Sequence, residues 1–225
     1  MSTLKVTGLG KSFASRTIFS GIDLALTSGV YALSGKNGCG KSTLLKLLAG
    51  VVPPDRGTIV VDGHDLARAE ANAKRSIGYM PDSEAFYDFV TPAALWQLIA
   101  RARGVAGDEG RMLASRLGLS SYVDQPLGAL SQGTRRKAFL VGAFIGTPPV
   151  ILLDEPSNAL DAAAHAELYR LVNGASNSVV LMSTHDVKLT AATQARLLAL
   201  SERGIAAAPA GDAHATAEMS LRVAQ

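Results

Sequence analysis

A glycine-rich octapeptide, GKNGCGKS at residues 35–42, restricts the fold of this chain more than any other segment. It matches the pattern G-x-x-x-x-G-K-[ST] and lies between a strand-like apolar run and a segment whose apolar residues have helical spacing. In that context the backbone N–H groups of the loop and the N-terminus of the helix surround phosphate oxygens. We therefore predict a strand–loop–helix unit in which Lys41 reaches the β- and γ-phosphates of a nucleotide and Ser42 binds Mg²⁺.

A second motif, VILLDEP at residues 150–156, is an apolar run that ends in two carboxylates. A buried strand would place Asp154 at its C-terminal end, where ligands bind in open α/β sheets. We expect Asp154 to help bind Mg²⁺ and Glu155 to orient or deprotonate an attacking water. The motif is weak alone, because many strands end in acidic turns. Together with the phosphate loop it predicts hydrolysis of a nucleoside triphosphate.

The composition excludes several other classes of protein. Hydrophobic residues make up 48% of the chain and charged residues 18%, which rules out a largely disordered chain. The net charge is +3 and the densest basic cluster is residues 135–137, so we expect no nucleic-acid partner. The single cysteine, Cys39, excludes a disulfide scaffold and fits a reducing compartment. The most apolar stretch, residues 138–153, contains two prolines and is shorter than the roughly 20 residues of a membrane span.

Hydrophobic patterning divides the chain into three regions. Residues 4–61 contain short alternating runs, typical of half-buried antiparallel strands. From residue 91 to 147 apolar residues recur at helical spacing, with Pro92 at a first turn, where proline is favoured. Residues 150–201 alternate between strand-like and helix-like segments, as βαβ units with a parallel sheet do. We predict an α/β core with an antiparallel β subdomain and an inserted α-helical subdomain.

Three further motifs follow the phosphate loop in a fixed order: LSQGTRRK at 130–137, SNALD at 157–161 and STHD at 183–186. With the phosphate loop and the acidic strand, they resemble the signature, D-loop and switch histidine of the nucleotide-binding domain of ATP-binding cassette (ABC) transporters. The resemblance covers about residues 1–205 and implies a P-loop NTPase (RecA-like) core. It places the helical subdomain at about residues 83–147 and leaves a peripheral tail at residues 206–225.

The resemblance implies a site shared between two such domains, identical or different, that meet head to tail around ATP. Ser131 and Gly133 would contact the γ-phosphate bound to the other domain, and His185 would contact the γ-phosphate bound to its own. Asp161 would lie at the same interface, although an aspartate before an alanine-rich helix is also an ordinary N-cap. Phe13 would stack on adenine, unless it is a strand residue that faces the core. The loop residues expected to contact the nucleotide are Gly35, Lys36, Asn37, Gly38, Cys39, Gly40, Lys41, Ser42 and Thr43.

Two motifs depart from the family pattern. The signature has Gln132 in place of a glycine and Thr134 in place of a glutamine. The glutamine that the family carries after the IGYMP segment is replaced by Asp82. We expect Asp82 to be a further Mg²⁺ ligand. Since exporter-type members often carry an acidic residue there, it favours export and the exporter (ABC-2) type.

An aromatic segment follows Asp82 and contains Phe86, Tyr87 and Phe89. In the family this segment receives a helix from a membrane partner, so we predict that the three rings face outward. The alternative is that they anchor the loop on the domain's own core.

These inferences lead to one functional prediction. We expect an ATP-hydrolysing subunit, cytoplasmic and peripheral to the inner face of the membrane, that energises transmembrane subunits on another chain. One alternative is a soluble ABC ATPase of DNA repair or translation. The other is a cassette that binds ATP only, as a regulatory module.

Overall fold

The computed structural model describes residues 1–83, 86–105, 108–201 and 204–207. The strands are β1 (Thr3–Phe13), β2 (Arg16–Thr27), β3 (Gly29–Ser34), β4 (Arg56–Val61), β5 (His64–Asp65), β6 (Ile77–Met80), β7 (Val150–Asp154), β8 (Val179–Ser183), β9 (Arg196–Ser201) and β10 (Gly204–Ala207). The helices are α1 (Lys41–Leu48), α2 (Glu70–Arg75), α3 (Pro92–Arg103), α4 (Glu109–Arg116), α5 (Gln132–Phe144), α6 (Ala162–Gly174) and α7 (Val187–Ala192). A short 3₁₀ helix at Leu127–Ala129 precedes α5.

The described strands form two sheets. The first has the order β2-β1-β4-β5 and is antiparallel throughout. The second has the order β10-β9-β3-β8-β7-β6. Its strands from β9 to β6 are parallel, and β10 pairs antiparallel with β9 at the edge. This arrangement confirms the predicted α/β class, with a P-loop core and an antiparallel β subdomain.

The central strands of the parallel sheet are apolar along their length because both faces of the sheet are covered. Every residue of β7 and β8 is buried. Along β7, Ile151 and Leu153 belong to a hydrophobic cluster that includes residues of α3, α5 and α6. Val150 and Leu152 belong to a second cluster, which includes residues of α1 and the antiparallel sheet. The end of β7 therefore lies between two packed layers, which fix its position.

Capping residues fix where three of the helices begin. The Thr91 side chain accepts a hydrogen bond from the N–H of Ala94 at 3.2 Å, and Pro92 is the first residue of α3, as predicted. Ser131 caps α5 and Asp161 caps α6 in the same way. Because both belong to predicted motifs, the starts of these helices determine where the motifs lie.

The helices α3, α4 and α5 all lie inside the range predicted for the helical subdomain, residues 83–147. Trp96 of α3 is fully buried, and its indole N–H donates to the carbonyl of Ala138 on α5 at 2.9 Å. Across the ranges that the structure describes, no helix combines the length and the apolar character needed to cross a bilayer.

Strand β10 crosses the predicted domain boundary at residue 205, since it continues to Ala207. It extends the parallel sheet by one antiparallel edge strand. The rest of the predicted tail, residues 208–225, lies outside the described residues.

Candidate functional site

The phosphate loop, residues 35–42, connects the end of β3 to the start of α1 and has backbone angles that favour glycine. Gly40 has a φ of 105°, and a Cβ built there would lie 2.7 Å from the ring of Phe19. Any larger residue would strain the backbone and clash with a buried ring. Glycine at this position lets the loop turn directly into α1, whose first residue is Lys41.

Lys41 is buried, and its ammonium group contacts two acceptors of the protein. Nζ donates to the carbonyl of Gly35 at 2.9 Å and lies 3.1 Å from Nε2 of His185. Because an ammonium group can only donate, a hydrogen bond between these two atoms has Nε2 as its acceptor. The switch histidine and the phosphate-loop lysine, both expected to contact the γ-phosphate, therefore lie next to each other although they are far apart in sequence.

Asp154 lies fully buried at the C-terminal end of β7, in direct contact with the phosphate loop. Its Oδ1 accepts hydrogen bonds from the hydroxyls of Ser42 at 3.0 Å and Ser183 at 2.6 Å. Its Oδ2 is buried and has no hydrogen-bond partner among the described atoms. A buried carboxylate oxygen without a donor is costly in a finished site, so this oxygen points to a missing donor or cation.

Glu155 follows Asp154 in a left-handed backbone conformation, with a φ of 47°. Its N–H donates to the carbonyl of Ser183 at 3.0 Å, and its Oε1 lies 3.7 Å from Nε2 of His185. Burial raises the pKa of the Glu155 carboxyl above its usual range, while the nearby His185 and Lys41 act in the opposite direction. A carboxylate with a raised pKa is a stronger base than an ordinary glutamate.

The signature and the D-loop are joined to each other within this chain. The Ser131 hydroxyl accepts from the N–H of Thr134 at 3.2 Å, as an N-cap. A Cβ on Gly133 would lie 2.7 Å from the carbonyl oxygen of Ala159. Asp161 accepts from the N–H of Ala164 at 2.8 Å, and its other oxygen lies 2.5 Å from Nζ of Lys137. Asp161 therefore acts as an N-cap, which was the alternative to its expected place at the shared nucleotide interface.

Two further predicted ligands, Phe13 and Asp82, have exposed side chains. Phe13 is 47% exposed, and Nζ of Lys11 lies 5.3 Å from the centre of its ring, so it does not face the core. The Asp82 side chain is 51% exposed, and its carboxylate lies 3.7 Å from the guanidinium of Arg136. Both roles remain predictions.

The prediction for the aromatic segment was wrong for one ring. Phe86 is partly buried against the hydrophobic core, with its ring centre 6.1 Å from that of Phe139 and the guanidinium of Arg135 5.5 Å away. Tyr87 and Phe89 are 73% and 76% exposed, and their rings stack with centres 5.6 Å apart. Phe86 thus anchors the segment, and its two neighbours present a small aromatic surface.

Two residues that contact the acidic pair escaped the sequence reasoning. Ser183 contributes the shorter hydrogen bond to Asp154, and its place at the start of STHD was the available signal. Arg136 is buried and donates to the backbone carbonyls of both Asp154 and Glu155. It was counted only as part of a basic cluster, because residue type alone does not distinguish a buried arginine from an exposed one.

A phosphate loop on a parallel sheet, with a buried aspartate at the end of a neighbouring strand, defines the class of P-loop nucleotide-binding proteins. The particular family follows from comparison. The sequence model of the ABC transporter family matches residues 19–158, and the chain belongs to that family. This confirms the family predicted from the ordered motifs.

Individual relatives agree with this assignment. The chain is 38% identical over 143 residues to ATP-binding cassette sub-family A member 7 of Mus musculus. This alignment covers 62% of the chain but 7% of that protein. It is 33% identical over 187 residues to the cytochrome c biogenesis ATP-binding export protein CcmA of Cupriavidus necator, covering 81% of this chain and 82% of that protein. A solved structure of an ATP binding subunit of an ABC transporter superposes with a TM-score of 0.84 at 26% identity, covering 99% and 95% of the two chains.

Proposed function

We propose that this protein hydrolyses ATP and thereby drives a transporter whose membrane-spanning part lies on another chain. The main observation behind this proposal is a row of three side chains. Nε2 of His185 lies 3.1 Å from Nζ of Lys41 and 3.7 Å from Oε1 of Glu155. Asp154 joins this network to the phosphate loop through Ser42. The likeness to an export protein over four-fifths of both chains, together with the acidic Asp82, supports export as the direction.

The proposed reaction is in-line attack of water on the γ-phosphorus of ATP, which breaks the bond to the bridging oxygen and yields ADP and phosphate. Glu155 holds the water and accepts its proton, and its raised pKa suits it to this task. Lys41 donates to the γ-phosphate oxygens and His185 contacts them, where negative charge must be stabilised. The amides of the phosphate loop and the start of α1 hold the phosphates, and Phe13 stacks on adenine.

Mg²⁺ fits the oxygens present at this site. The hydroxyl of Ser42 and the carboxylate of Asp154 are the hard donors that this cation prefers, and Oδ2 of Asp154 has no hydrogen-bond donor. Over the described part of the chain no cluster of three or more His, Cys, Asp or Glu side chains is placed to hold a metal by itself. We infer that Ser42 and Asp154 hold the cation together with the phosphates and water. Its charge would offset that of the phosphates during transfer.

The second half of the site is proposed to come from a partner domain. Ser131 and Gly133 lie at the N-terminus of α5, a helix of 13 residues, where backbone N–H groups favour an anion. The Lys137–Asp161 ion pair and the close approach of Gly133 to Ala159 hold the signature and the D-loop together. We infer that they meet the partner as one unit, with Asp161 at the interface.

The membrane partner is proposed to contact the surface formed by Tyr87 and Phe89. The two rings are stacked and exposed, so they present apolar area to a partner. Because the segment that carries them is anchored, their side chains lose little conformational entropy on binding. This surface would hold the protein at the cytoplasmic face of the membrane.

The test of the proposed function is Glu155→Gln. The amide keeps the shape of the side chain but cannot accept the proton, so ATP hydrolysis should fall by about 10²-fold or more. ATP binding should persist. Because bound ATP is no longer hydrolysed, a dimer of the domain should accumulate when ATP is added, and size-exclusion chromatography measures it. The matched control is Glu70→Gln on α2, where the side chain is exposed and pairs with Lys74, and it should keep the wild-type rate. If Glu155→Gln hydrolysed ATP at the wild-type rate, the role of Glu155 would be refuted. If the unmodified protein did not hydrolyse ATP, the proposed function itself would be refuted.

A further inference from the structure

Arg136 is a buried charged side chain in the first half of α5, and only 1% of its surface is exposed. A buried guanidinium is unfavourable unless its N–H groups find acceptors and its charge is balanced. The acceptors of Arg136 therefore show which parts of the protein it holds in place.

The guanidinium of Arg136 joins the end of β7 to the segment that follows β6. Its Nη2 donates to the carbonyl oxygens of Asp154 at 3.2 Å and Glu155 at 2.7 Å. Its Nη1 donates to the carbonyl oxygen of Asp82 and lies 3.7 Å from the carboxylate of the same residue. One side chain thus contacts both residues of the acidic pair and Asp82, which replaces the glutamine of the family.

Glu155 depends on such contacts because its backbone conformation is unfavourable. A φ of 47° is disfavoured for any residue other than glycine, and it persists only where surrounding contacts hold it. The N–H of Glu155 donates to Ser183 on β8, and its carbonyl accepts from Arg136. These bonds, with a third from the N–H of Asn158 to the same carbonyl at 3.2 Å, hold the residue on both sides. The direction of its side chain follows from this backbone.

We propose that Arg136 is a positioning residue for Glu155, and that Asp82 orients and charge-balances the Arg136 guanidinium instead of binding Mg²⁺. Arginine suits this role because its planar fork reaches several oxygens in fixed directions, which the ammonium of lysine cannot do. Asp82 is shorter than the glutamine it replaces and carries a negative charge, so it meets the guanidinium as an ion pair. The inference rests on the proposed ATP hydrolysis, and it adds Arg136 and Asp82 as residues that orient the general base, Glu155.

The expected consequence is a loss of rate without a loss of ATP affinity. A displacement of about 1 Å at a catalytic group can cost about 10²-fold in rate. None of the oxygens that accept from Arg136 in these contacts belongs to the phosphate loop. Nucleotide binding should therefore be spared when only the aim of Glu155 is disturbed.

The first test is Arg136→Lys, which keeps the charge and removes the fork. We expect kcat for ATP hydrolysis to fall by about 10-fold or more, with KM and the Kd for ATP changed by less than about 2-fold. The matched control is Arg103→Lys on α3, because Arg103 also bridges three backbone carbonyls. These belong to Gly142 at 3.0 Å, Ile145 at 2.5 Å and Ile77 at 2.8 Å, away from the acidic pair.

The control separates positioning from folding. Arg103→Lys should lower the unfolding temperature about as much as Arg136→Lys does, while keeping kcat near wild type. Equal losses of kcat in both variants would show that Arg136 acts only through stability, and the proposal would be wrong.

The second test repeats Arg136→Lys in the Glu155→Gln background. Because the carboxylate is already absent, the residual hydrolysis rate should not fall further by more than about 2-fold. A full additional loss would mean that Arg136 acts on something other than Glu155. This outcome is distinct from failure of the proposed function, in which the unmodified protein hydrolyses no ATP and both proposals fall.

The third test is Asp82→Asn, which is safe for folding because half of the side chain is exposed. We expect kcat to fall several-fold, the Mg²⁺ concentration for half-maximal activity to stay unchanged, and no further loss in the Arg136→Lys background. A raised Mg²⁺ requirement would assign Asp82 to the metal and overturn its pairing with Arg136. Unchanged kcat would likewise overturn it.

Discussion

Gly133→Ala perturbs the closest backbone approach between the signature and the D-loop. The added methyl carbon would lie 2.7 Å from the carbonyl oxygen of Ala159, whereas ordinary contact begins at 3.4 Å. Ala159 itself has a φ of 59°, so its peptide is already held in a restricted conformation. We therefore expect the two segments to separate by about 0.7 Å, with little relief from the D-loop side.

Two consequences follow from this separation. Overpacking costs about 1–3 kcal/mol, and replacing glycine by alanine in a helix returns up to about 1 kcal/mol. The unfolding temperature should therefore drop by only a few degrees. Catalysis should suffer more, since a shift of about 0.7 Å in the signature corresponds to a loss of about 10-fold to 10²-fold in rate.

The assay compares steady-state ATP hydrolysis, ATP affinity and thermal unfolding of Gly133→Ala with those of Gly174→Ala. Gly174 is the last residue of α6, and nothing lies within 4 Å of a Cβ built there. Gly174→Ala should keep the wild-type hydrolysis rate, and its unfolding temperature should be unchanged or slightly higher. If Gly133→Ala also hydrolysed ATP at the wild-type rate, the argument that this contact sets the position of the signature would be refuted.

Three other predictions address the base, the shared site and the partner surface. Because burial raises the pKa of Glu155, kcat/KM should fall as the pH drops through that raised pKa, at a higher pH than an ordinary glutamate would give; a flat acidic profile would contradict this. Ser131→Arg and Lys41→Ala should each be inactive, and mixing them should restore partial activity by regenerating one intact site; no recovery in a confirmed heterodimer would count against a shared site. Changing Tyr87 and Phe89 together to Ser should abolish co-purification with membranes that contain the partner while leaving thermal unfolding unchanged, because both rings are exposed. Retained co-purification would exclude this surface.

The sequence predicted the fold well where one local signal dominates. The glycine pattern at residues 35–42, the fully apolar β7 and Pro92 at the start of α3 each combine a motif with the periodicity expected around it. These signals depend on short stretches of chain, so no tertiary information was needed. The order of motifs in the family predicted that Lys41 and His185 serve the same γ-phosphate, and their direct contact is a finding of the structure.

The errors and omissions concern residues whose role is decided by distant contacts. Phe86 and Phe89 are the same residue type in the same segment, yet only Phe86 packs against Phe139 from α5. Arg135 and Arg136 are adjacent in a basic cluster, yet the carbonyls of the acidic pair accept from Arg136. Such distinctions depend on how α5 lies beside β6 and β7, and a single sequence does not encode that in any local pattern.

The contacts of Lys41 have a consequence for nucleotide exchange. The ammonium group contacts the carbonyl of Gly35 and the ring of His185, at 2.9 and 3.1 Å. An incoming triphosphate must therefore compete with acceptors that the protein already supplies, and a departing product leaves those acceptors ready to take the lysine back. Exchanging these contacts for contacts with phosphate would offset part of the attraction between the ammonium group and the nucleotide.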